Sequence, residues 1–252
     1  MPIVIETRER VISITWDRPP LNVLDLALLH ELADALTRCA SAPADIVILR
    51  GAGRRAFSAG VDIRDHTVEK VPEMLEVVHG VIRKLVALPQ VTIAAVRGVC
   101  LGGGCEVASS CDFVVATEGS SFATPEILVG CYPPVALARF TNLIGYHRAA
   151  EMILTGKGIG AREAQSIGLI NRVCGEDELE TALDSLIQEL LGKSGAVLRL
   201  TLKGLRELSL RGFEEALRRS EEIYCSELLQ TADVEEGINA FLEKRAPRWR
   251  HR

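Results

Sequence analysis

The sequence predicts an α/β protein with a sheet-and-helix core followed by a helical region. Up to about residue 133, strand-length apolar runs alternate with helical patterns, and beyond it the patterns are helical apart from one short strand near 170–174. Continuously apolar strands are typical of a sheet covered on both faces. We therefore expect an α/β core followed by a C-terminal helical region, with the core taken as residues 1–190 and the helical region as residues 191–252. Three strands are continuously apolar: 45–49, 91–96 and 112–116.

The first elements have clear local signals. Runs rich in β-branched residues at 3–6 and 10–16 flank a polar turn and predict a hairpin. Leucines recur at helical spacing over 26–36, directly after Asp25, whose side chain suits the N-cap position. The chain therefore begins with a hairpin that leads into an amphipathic helix.

The remaining helices follow from the period of their apolar residues. One is predicted over 72–88, because Pro72 suits a first helical turn and Pro89 ends the apolar stripe. A short helix is also expected after the strand at 91–96. The patterns in the second half predict helices over 134–144, 147–154, 161–167, 177–191, 195–210, 213–229 and 232–245.

The composition of the 252 residues excludes several classes of protein. With 48% hydrophobic and 25% charged residues, the chain has enough apolar surface to fold and is not predominantly disordered. A net charge of −5 and an aromatic content of 4% are atypical of a nucleic-acid partner. No apolar run reaches the roughly 18 residues of a membrane span, and the N-terminus mixes acid and base unlike a leader. We expect a cytoplasmic protein without membrane or nucleic-acid partners.

The cysteines do not suggest disulfides or a metal. Their number is seven, which is odd, and none forms a Cys-x-x-Cys pair. Zinc requires close pairs of Cys or His ligands, so we expect buried free thiols and no metal site.

One glycine-rich segment resembles the dinucleotide-binding fingerprint but lacks the helix that the fingerprint requires. Residues 51–56 read Gly-Ala-Gly-Arg-Arg-Ala after a predicted strand. The fingerprint needs a helix to begin within it, whereas residues 57–62 are turn-like. A nicotinamide cofactor is therefore not expected.

A second glycine-rich segment is a stronger candidate site. Residues 96–108 join an apolar strand to a short helix through Gly102, Gly103 and Gly104, which allow close approach of the backbone to a ligand. If the helix begins near Gly103, its free N–H groups form an oxyanion-binding spot, with Glu106 one turn further on. The alternative is a tightly packed strand–helix turn with a solvated glutamate.

Glu126 gives the candidate site a second carboxylate. It lies 20 positions after Glu106, between two apolar stretches. Taken alone, an exposed glutamate at a helix start would explain it better. Two glutamates beside one oxyanion spot instead suit proton transfer at two adjacent carbons, with one acid and one base.

These segments resemble the crotonase superfamily, the enoyl-CoA hydratase/isomerase family. The resemblance runs through most of the chain and is carried by residues 16–19, 57–63, 98–112 and 240–245. It implies a spiral of ββα turns and a C-terminal helical region used to form trimers, which commonly pair into hexamers.

The resemblance also implies an active site. Backbone N–H groups of Val61 and Gly103 would form the oxyanion hole for a thioester carbonyl, Glu106 would activate water, and Glu126 would handle the Cα proton. The substrate would be an unsaturated acyl-CoA, and no metal or redox cofactor would be required. The residues expected to line CoA or substrate are Ser58, Ala59, Gly60, Asp62, Ile63, Gly102, Tyr132 and Pro133.

The segment after Glu126 departs from the common hydratase pattern. Where that pattern has a glycine-rich turn, residues 130–134 read Gly-Cys-Tyr-Pro-Pro, which predicts a rigid helix start. The sequence of this segment is similar to that of the cyclic dienoyl-CoA hydratases. It argues against straight-chain crotonyl-CoA as the substrate and offers a cyclic dienoyl-CoA as one candidate acyl class.

Two other functions remain open. Double-bond isomerases of the family can work with one carboxylate, usually at the position of Glu126, so the retention of Glu106 favours a hydratase. A non-catalytic member that binds acyl-CoA or RNA is disfavoured by the intact glutamate pair and the acidic charge.

Residues outside the motifs receive simpler interpretations. We expect His66 to face solvent, and His79 and His147 to be structural. Lys244 and Arg245 suit an ordinary basic helix end, although in relatives a residue of this region can reach the CoA of a neighbouring subunit.

Overall fold

The computed structural model describes residues 2–209 and 212–249. The strands are β1 (Ile3–Arg8), β2 (Val11–Trp16), β3 (Ile46–Gly51), β4 (Ala56–Ser58), β5 (Val91–Val96), β6 (Val99–Leu101), β7 (Phe113–Thr117), β8 (Ser121–Ala123), β9 (Ile159–Gly160) and β10 (Arg172–Cys174). The α-helices are α1 (Leu26–Ala40), α2 (Val71–Ala87), α3 (Gly103–Ser109), α4 (Pro134–Ile144), α5 (Tyr146–Thr155), α6 (Ala161–Ser166), α7 (Leu179–Leu191), α8 (Gly195–Ser209), α9 (Phe213–Ser226) and α10 (Ala232–Leu242). Short 3₁₀ helices cover Ile63–Asp65, Pro125–Val129 and Leu228–Gln230.

The strands form two sheets, and from β3 to β8 successive strands alternate between them. The larger sheet has the order β1-β2-β3-β5-β7-β10, and the smaller has the order β4-β6-β8-β9. Only the β1–β2 and β8–β9 pairs are antiparallel among the described strands. The strand pairs β3/β4, β5/β6 and β7/β8 each give one strand to either sheet. This alternation matches the spiral of ββα turns that the family resemblance implies.

The larger sheet is covered on both faces. On one face, Val47 and Ala94 belong to the main core with α1 and α2. On the other face, Ile48 and Ile93 pack with Leu183 of α7. Because successive strand residues point to opposite faces, continuously apolar strands are required, and the prediction of a doubly covered sheet is confirmed.

Trp16 at the end of β2 connects the two sheets. Its indole Nε1 donates a hydrogen bond of 2.8 Å to the carbonyl of Phe57 in β4, and the two rings meet edge to face at 4.8 Å. Asn22 donates to the carbonyls of Ala52 and Ala56, at 3.0 and 2.7 Å. These buried contacts hold the segment that leads from β4 into the loop at 59–62.

Most predicted elements are confirmed, and the differences are local. Asp25 caps α1 by accepting from Leu28 N at 2.9 Å, and α4 covers the predicted 134–144. The prediction of a single strand after residue 133 is wrong, because β9 precedes β10. The segment interpreted as turn-like at 57–62 begins in β4. The last residue of the helix predicted over 195–210 lies outside the described residues.

The described helices include none that is both long and apolar enough to cross a bilayer. Within the same residues, no three His, Cys, Asp or Glu side chains gather as a metal site would require.

Candidate active site

A cavity of about 340 Å³ opens between the smaller sheet, α2 and the C-terminal helices. It brings together the two glycine-rich segments of the sequence, both predicted glutamates and residues from the end of the chain. Its lining comprises Ala59, Gly60, Val61, Ile63, His66, Met74, Leu75, Val78, His79, Gly102, Gly103, Glu106, Pro125, Glu126, Leu128, Val129, Tyr132, Pro133, Pro134, Tyr224 and Phe241.

The N–H group of Val61 is directed away from its neighbouring strand segment. Leu24 N donates to Gly60 O at 2.9 Å, and Asp62 N donates to Leu24 O at 3.2 Å, in a parallel bridge. In such a bridge the N–H between these two bonds points to the opposite side. The Val61 N–H is thereby left for a ligand in the cavity.

Gly103 places a second N–H beside that of Val61. It is the first residue of α3, so its N–H has no acceptor within the helix. A Cβ on Gly103 would lie 3.6 Å from Val61 N and 2.7 Å from Val61 Cγ2. A side chain at position 103 would therefore collide with that of Val61, and the predicted pair of donors lies together.

Glu106 extends from α3 and is held by the start of α4. Its residue is 3% exposed, and its Oε1 accepts from Ala136 N at 2.9 Å. Pro134 begins α4, and the free N–H groups of that first turn favour an ionised carboxylate. The first turn of α4, which follows Pro133, thus supplies the N–H group that fixes the Glu106 carboxylate. This side chain is buried and not solvated.

Glu126 lies in the 3₁₀ helix Pro125–Val129 and turns its carboxyl onto the glycine loop. A Cβ on Gly102 would meet Glu126 Oε1 at 2.7 Å, and Gly102 has φ 51°, which glycine adopts without strain. Oε2 of Glu126 is buried and has no hydrogen-bond partner among the described residues. The carboxyl is therefore enclosed beside the helix start, which excludes the exposed alternative.

The two carboxyl groups have different electrostatic surroundings. Burial raises the pKa of Glu126 to about 8, and the nearby charge of Glu106 adds to the rise. Burial also raises the pKa of Glu106, but the N–H groups of Ala136 and Val135 and the charge of His79 oppose that rise. At neutral pH this arrangement favours a protonated Glu126, whereas Glu106 has backbone N–H donors that stabilise its charged form.

The predicted binding residues divide into two groups. Besides Val61 and Gly103, the cavity is lined by the predicted Ala59, Gly60, Ile63, Gly102, Tyr132 and Pro133. Ser58 and Asp62 do not line it: Ser58 Oγ accepts from Gly60 N at 3.0 Å, and Asp62 pairs with Arg64. Both side chains stabilise the loop, and their contact with CoA remains a prediction.

One wall of the cavity comes from α9, which the sequence assigned only to oligomerisation. The hydroxyl of Tyr132 donates to the carbonyl of Ser220 at 2.7 Å, and its ring meets that of Tyr224 at 5.0 Å. Tyr224 is 1% exposed. Phe241 of α10 also reaches the cavity. Tyr132 was predicted as a binding residue, whereas the sequence did not predict that Tyr224 and Phe241 line the cavity, because no local motif marks that role.

One of the three histidine interpretations needs correction. His66 is half-buried and lines the cavity, and its Nδ1 lies 3.0 Å from Asp62 O. Burial lowers its pKa. The prediction that His66 faces solvent is therefore wrong. His79 also lines the cavity, and its position on the apolar stripe of α2 was the available signal. His147 is exposed and stacks edge to face on Tyr146.

The basic residues at the end of α10 are partly engaged within the chain. Arg245 pairs with Glu236 and Glu243, and Lys244 is exposed. Their reach to a neighbouring subunit's CoA remains a prediction.

The chain is similar to known proteins along its whole length. Residues 6–252 match the family model described as enoyl-CoA hydratase/isomerase. The cyclohexa-1,5-dienecarbonyl-CoA hydratase of Thauera aromatica is 31% identical over 252 residues, which cover 100% of this chain and 97% of that protein. A probable enoyl-CoA hydratase of Mycobacterium bovis is 33% identical over 253 residues, covering 99% of this chain and 98% of the relative. The crystal structure of an enoyl-CoA hydratase from Mycobacterium avium subsp. paratuberculosis superposes with a TM-score of 0.89 at 30% identity, over 99% of this chain and 98% of that one.

These matches confirm the crotonase fold that the resemblance implies. The protein with this fold and this pair of enclosed carboxyl groups belongs to the enoyl-CoA hydratase/isomerase family.

Proposed function

We propose that the protein is a hydro-lyase that adds water across the C=C bond of an α,β-unsaturated acyl-CoA thioester. The observation that carries the proposal is the enclosure of Glu106 and Glu126 in one cavity, beside the free N–H groups of Val61 and Gly103. The names of the relatives from Thauera aromatica and Mycobacterium bovis agree with it.

The first step is the attack of water on Cβ. The thioester carbonyl accepts hydrogen bonds from Val61 N and Gly103 N, so that negative charge developing on its oxygen meets two fixed donors. Loss of one such donor typically costs about 10²–10³ in rate. Glu106, whose Oε1 accepts a hydrogen bond from Ala136 N at 2.9 Å, acts as the base and removes the proton from the attacking water.

The second step is protonation of Cα. Glu126 carries a proton at neutral pH because burial raises its pKa to about 8, and it gives that proton to Cα. The reaction is redox-neutral, and polarisation of the carbonyl comes from backbone donors. It therefore requires no metal and no redox cofactor, and CoA serves as the handle that supplies binding energy remote from the reacting carbons.

A cyclic dienoyl group is the acyl class that we propose within this reaction. Pro133 and Pro134 both line the cavity and begin α4, so this wall is rigid where a glycine-rich turn would be adaptable. The relative from Thauera aromatica is named as a hydratase of such a ring. We further propose that the enzyme works in the cytoplasm as a homotrimer or a pair of trimers.

The experiment is a panel of straight-chain, branched and cyclic unsaturated acyl-CoA thioesters, with the gain of one water measured by mass spectrometry. Glu106→Gln and Glu126→Gln should each lower hydration about 10²–10⁴-fold, while binding of a saturated acyl-CoA survives. Glu163→Gln, an exposed glutamate of α6, is the matched control and should remain fully active.

Three outcomes would contradict parts of the proposal. Full activity in either active-site variant would exclude the two-carboxylate mechanism. Migration of the alkene without a change of mass would identify an isomerase. A preference for crotonyl-CoA over cyclic dienes would refute the proposed acyl class.

A further inference from the structure

The cavity has an open mouth and a closed end. Leu128 and Phe241 line it and are 57% and 56% exposed, so they lie at the mouth. Tyr224 and His79 also line it but are 1% and 0% exposed, so they lie at the closed end. A CoA moiety is bulky and carries phosphates that need contact with water, so it belongs at the mouth. The acyl group therefore extends towards Tyr224 and His79.

Tyr224 brings an unpaired hydroxyl to this closed end. Its Oη is buried and has no hydrogen-bond partner among the described residues. The Cys131 thiol lies beside it, but a thiol is a weak hydrogen-bonding group. Burial raises the pKa of Tyr224, so the hydroxyl keeps its proton at neutral pH and is available as a donor. Burying a hydroxyl without a partner is costly, and phenylalanine would fill the same space without that cost.

His79 contributes a second polar atom at the same end. Its Nδ1 lies 2.6 Å from Oε1 of Glu221 in α9, whereas its Nε2 is buried and forms no hydrogen bond with any part of the chain that the structure describes. Glu221 and Tyr224 are three positions apart on α9 and share one face of that helix. The contact with Glu221 therefore places the ring of His79 against the helix face that carries Tyr224.

The packing of α9 does not require the Tyr224 hydroxyl. The rings of Tyr132 and Tyr224 meet edge to face at 5.0 Å, and this contact needs only the rings. Tyr132 satisfies its own hydroxyl within the chain, by donating to Ser220 O at 2.7 Å. The two tyrosines of this wall thus differ, because only the Tyr132 hydroxyl has an acceptor among the described residues.

A hydroxyl group on the substrate would satisfy both free atoms. Its oxygen can accept from Tyr224 Oη, and it can either donate to His79 Nε2 or accept from it, whichever proton the ring carries. A methyl group would leave both atoms unpaired. In an apolar pocket, a few polar groups of this kind determine which ligand is bound.

We propose that the closed end selects an unsaturated acyl group that carries a hydroxyl beyond Cβ, with Tyr224 as the specificity-determining residue that donates to it and His79 Nε2 as its second contact. This inference rests on the proposed hydratase function and defines the acyl end of that substrate. The hydroxyl is distinct from the one that hydration forms at Cβ. It can be carried by the proposed ring or by a chain.

The test measures hydration of acyl-CoA thioesters in matched pairs. The two members of a pair carry a hydroxyl or a methyl group at the same carbon, and the pairs cover each carbon from Cγ to the end of the chain or ring. At one of these positions the unmodified protein should favour the hydroxyl member about 10–100-fold in kcat/KM, because the methyl member leaves buried polar atoms unpaired.

Two variants and a control assign that preference. Tyr224→Phe keeps the ring and should reduce the preference about tenfold, mainly by lowering kcat/KM for the hydroxyl member. His79→Asn keeps a donor for Glu221 but removes Nε2, and it should also reduce the preference. Tyr146→Phe removes the hydroxyl of an exposed tyrosine in α5 and should leave the preference unchanged.

A second measurement needs no variant and remains informative if a variant fails to fold. Calorimetry of the unmodified protein should show tighter binding of a saturated hydroxyacyl-CoA than of its methyl counterpart, at the same carbon that gives the kinetic preference.

The outcomes separate this inference from the proposed function. Equal kcat/KM within every pair would overturn the inference while hydration itself supports the hydratase. A Tyr224→Phe variant that keeps the full preference, or that loses activity equally towards both members, would also overturn it. If no thioester is hydrated, the proposed function fails, and the calorimetric affinities still decide whether the closed end prefers a hydroxyl.

Discussion

Replacement of Glu126 by glutamine should make the protein more stable while lowering its hydratase activity about 10²–10⁴-fold. The Glu126 carboxyl is enclosed against Gly102, and its Oε2 has no hydrogen-bond partner among the described residues. Glutamine has nearly the same shape and carries no charge. The variant therefore avoids the cost of holding an ionisable group in a site that disfavours its charged form.

The size of the gain follows from linkage. In the unfolded chain Glu126 ionises with the ordinary pKa of 4.5, whereas in the folded protein its pKa is about 8. A raised folded-state pKa means that stability is greatest below pH 4.5 and is lost as the pH rises to about 8. At about 1.4 kcal/mol per unit, Glu126→Gln should exceed the unmodified protein by about 3 kcal/mol at pH 7 and by about 5 kcal/mol above pH 8.

The assay is chemical unfolding followed by circular dichroism, at several pH values between 5 and 9 and at a fixed protein concentration, because oligomers unfold in a concentration-dependent way. Glu163→Gln serves as the exposed control and should show no gain that grows with pH. A Glu126→Gln variant that is equally or less stable than the unmodified protein at pH 8 would refute the argument that ionisation of Glu126 destabilises the folded protein.

Two further substitutions test the loop and the first helix. Gly103→Ala should lower kcat about 10²–10³-fold, since the new Cβ would lie 2.7 Å from Val61 Cγ2 and separate the two N–H donors. Gly80→Ala is the control, because its Cβ would meet nothing within 4 Å. Equal rates in both variants would exclude the oxyanion role. Asp25→Ala should destabilise the protein by about 1 kcal/mol in urea unfolding, because Leu28 N loses its capping acceptor, whereas an unchanged midpoint would contradict that contribution.

Long periodic elements were predictable from the sequence, and short ones were not. The helix α4 could be located because Pro133 and Pro134 mark its start and its apolar residues recur over three turns. Strands β6 and β8 have only three residues each, which is too short for any alternation to be detected. The position of β6 depends on its pairing with β4, and that of β8 on its pairing with β6, and no local pattern encodes these long-range contacts.

The candidate site was predictable where it is built from one continuous segment. Gly102, Gly103 and Glu106 lie within five positions, so their local geometry followed from the glycines and the helix start. His79 was interpreted as structural and Tyr224 was missed, because the two line one cavity only after α2 and α9 have packed around it. Burial in a cavity wall cannot be distinguished from burial in the core by helical periodicity.

The position of α9 has a consequence for how this enzyme could acquire new substrates. The donors and carboxyl groups that we assign to chemistry lie between residues 61 and 126, whereas Ser220 and Tyr224 of α9, which complete the wall beside Tyr132, lie almost a hundred positions later. Mutations in α9 can therefore reshape the space for the acyl group while leaving the reacting atoms untouched. Selection for a different acyl chain can act on one helix, and recombination within the connecting segments would exchange that helix as a unit.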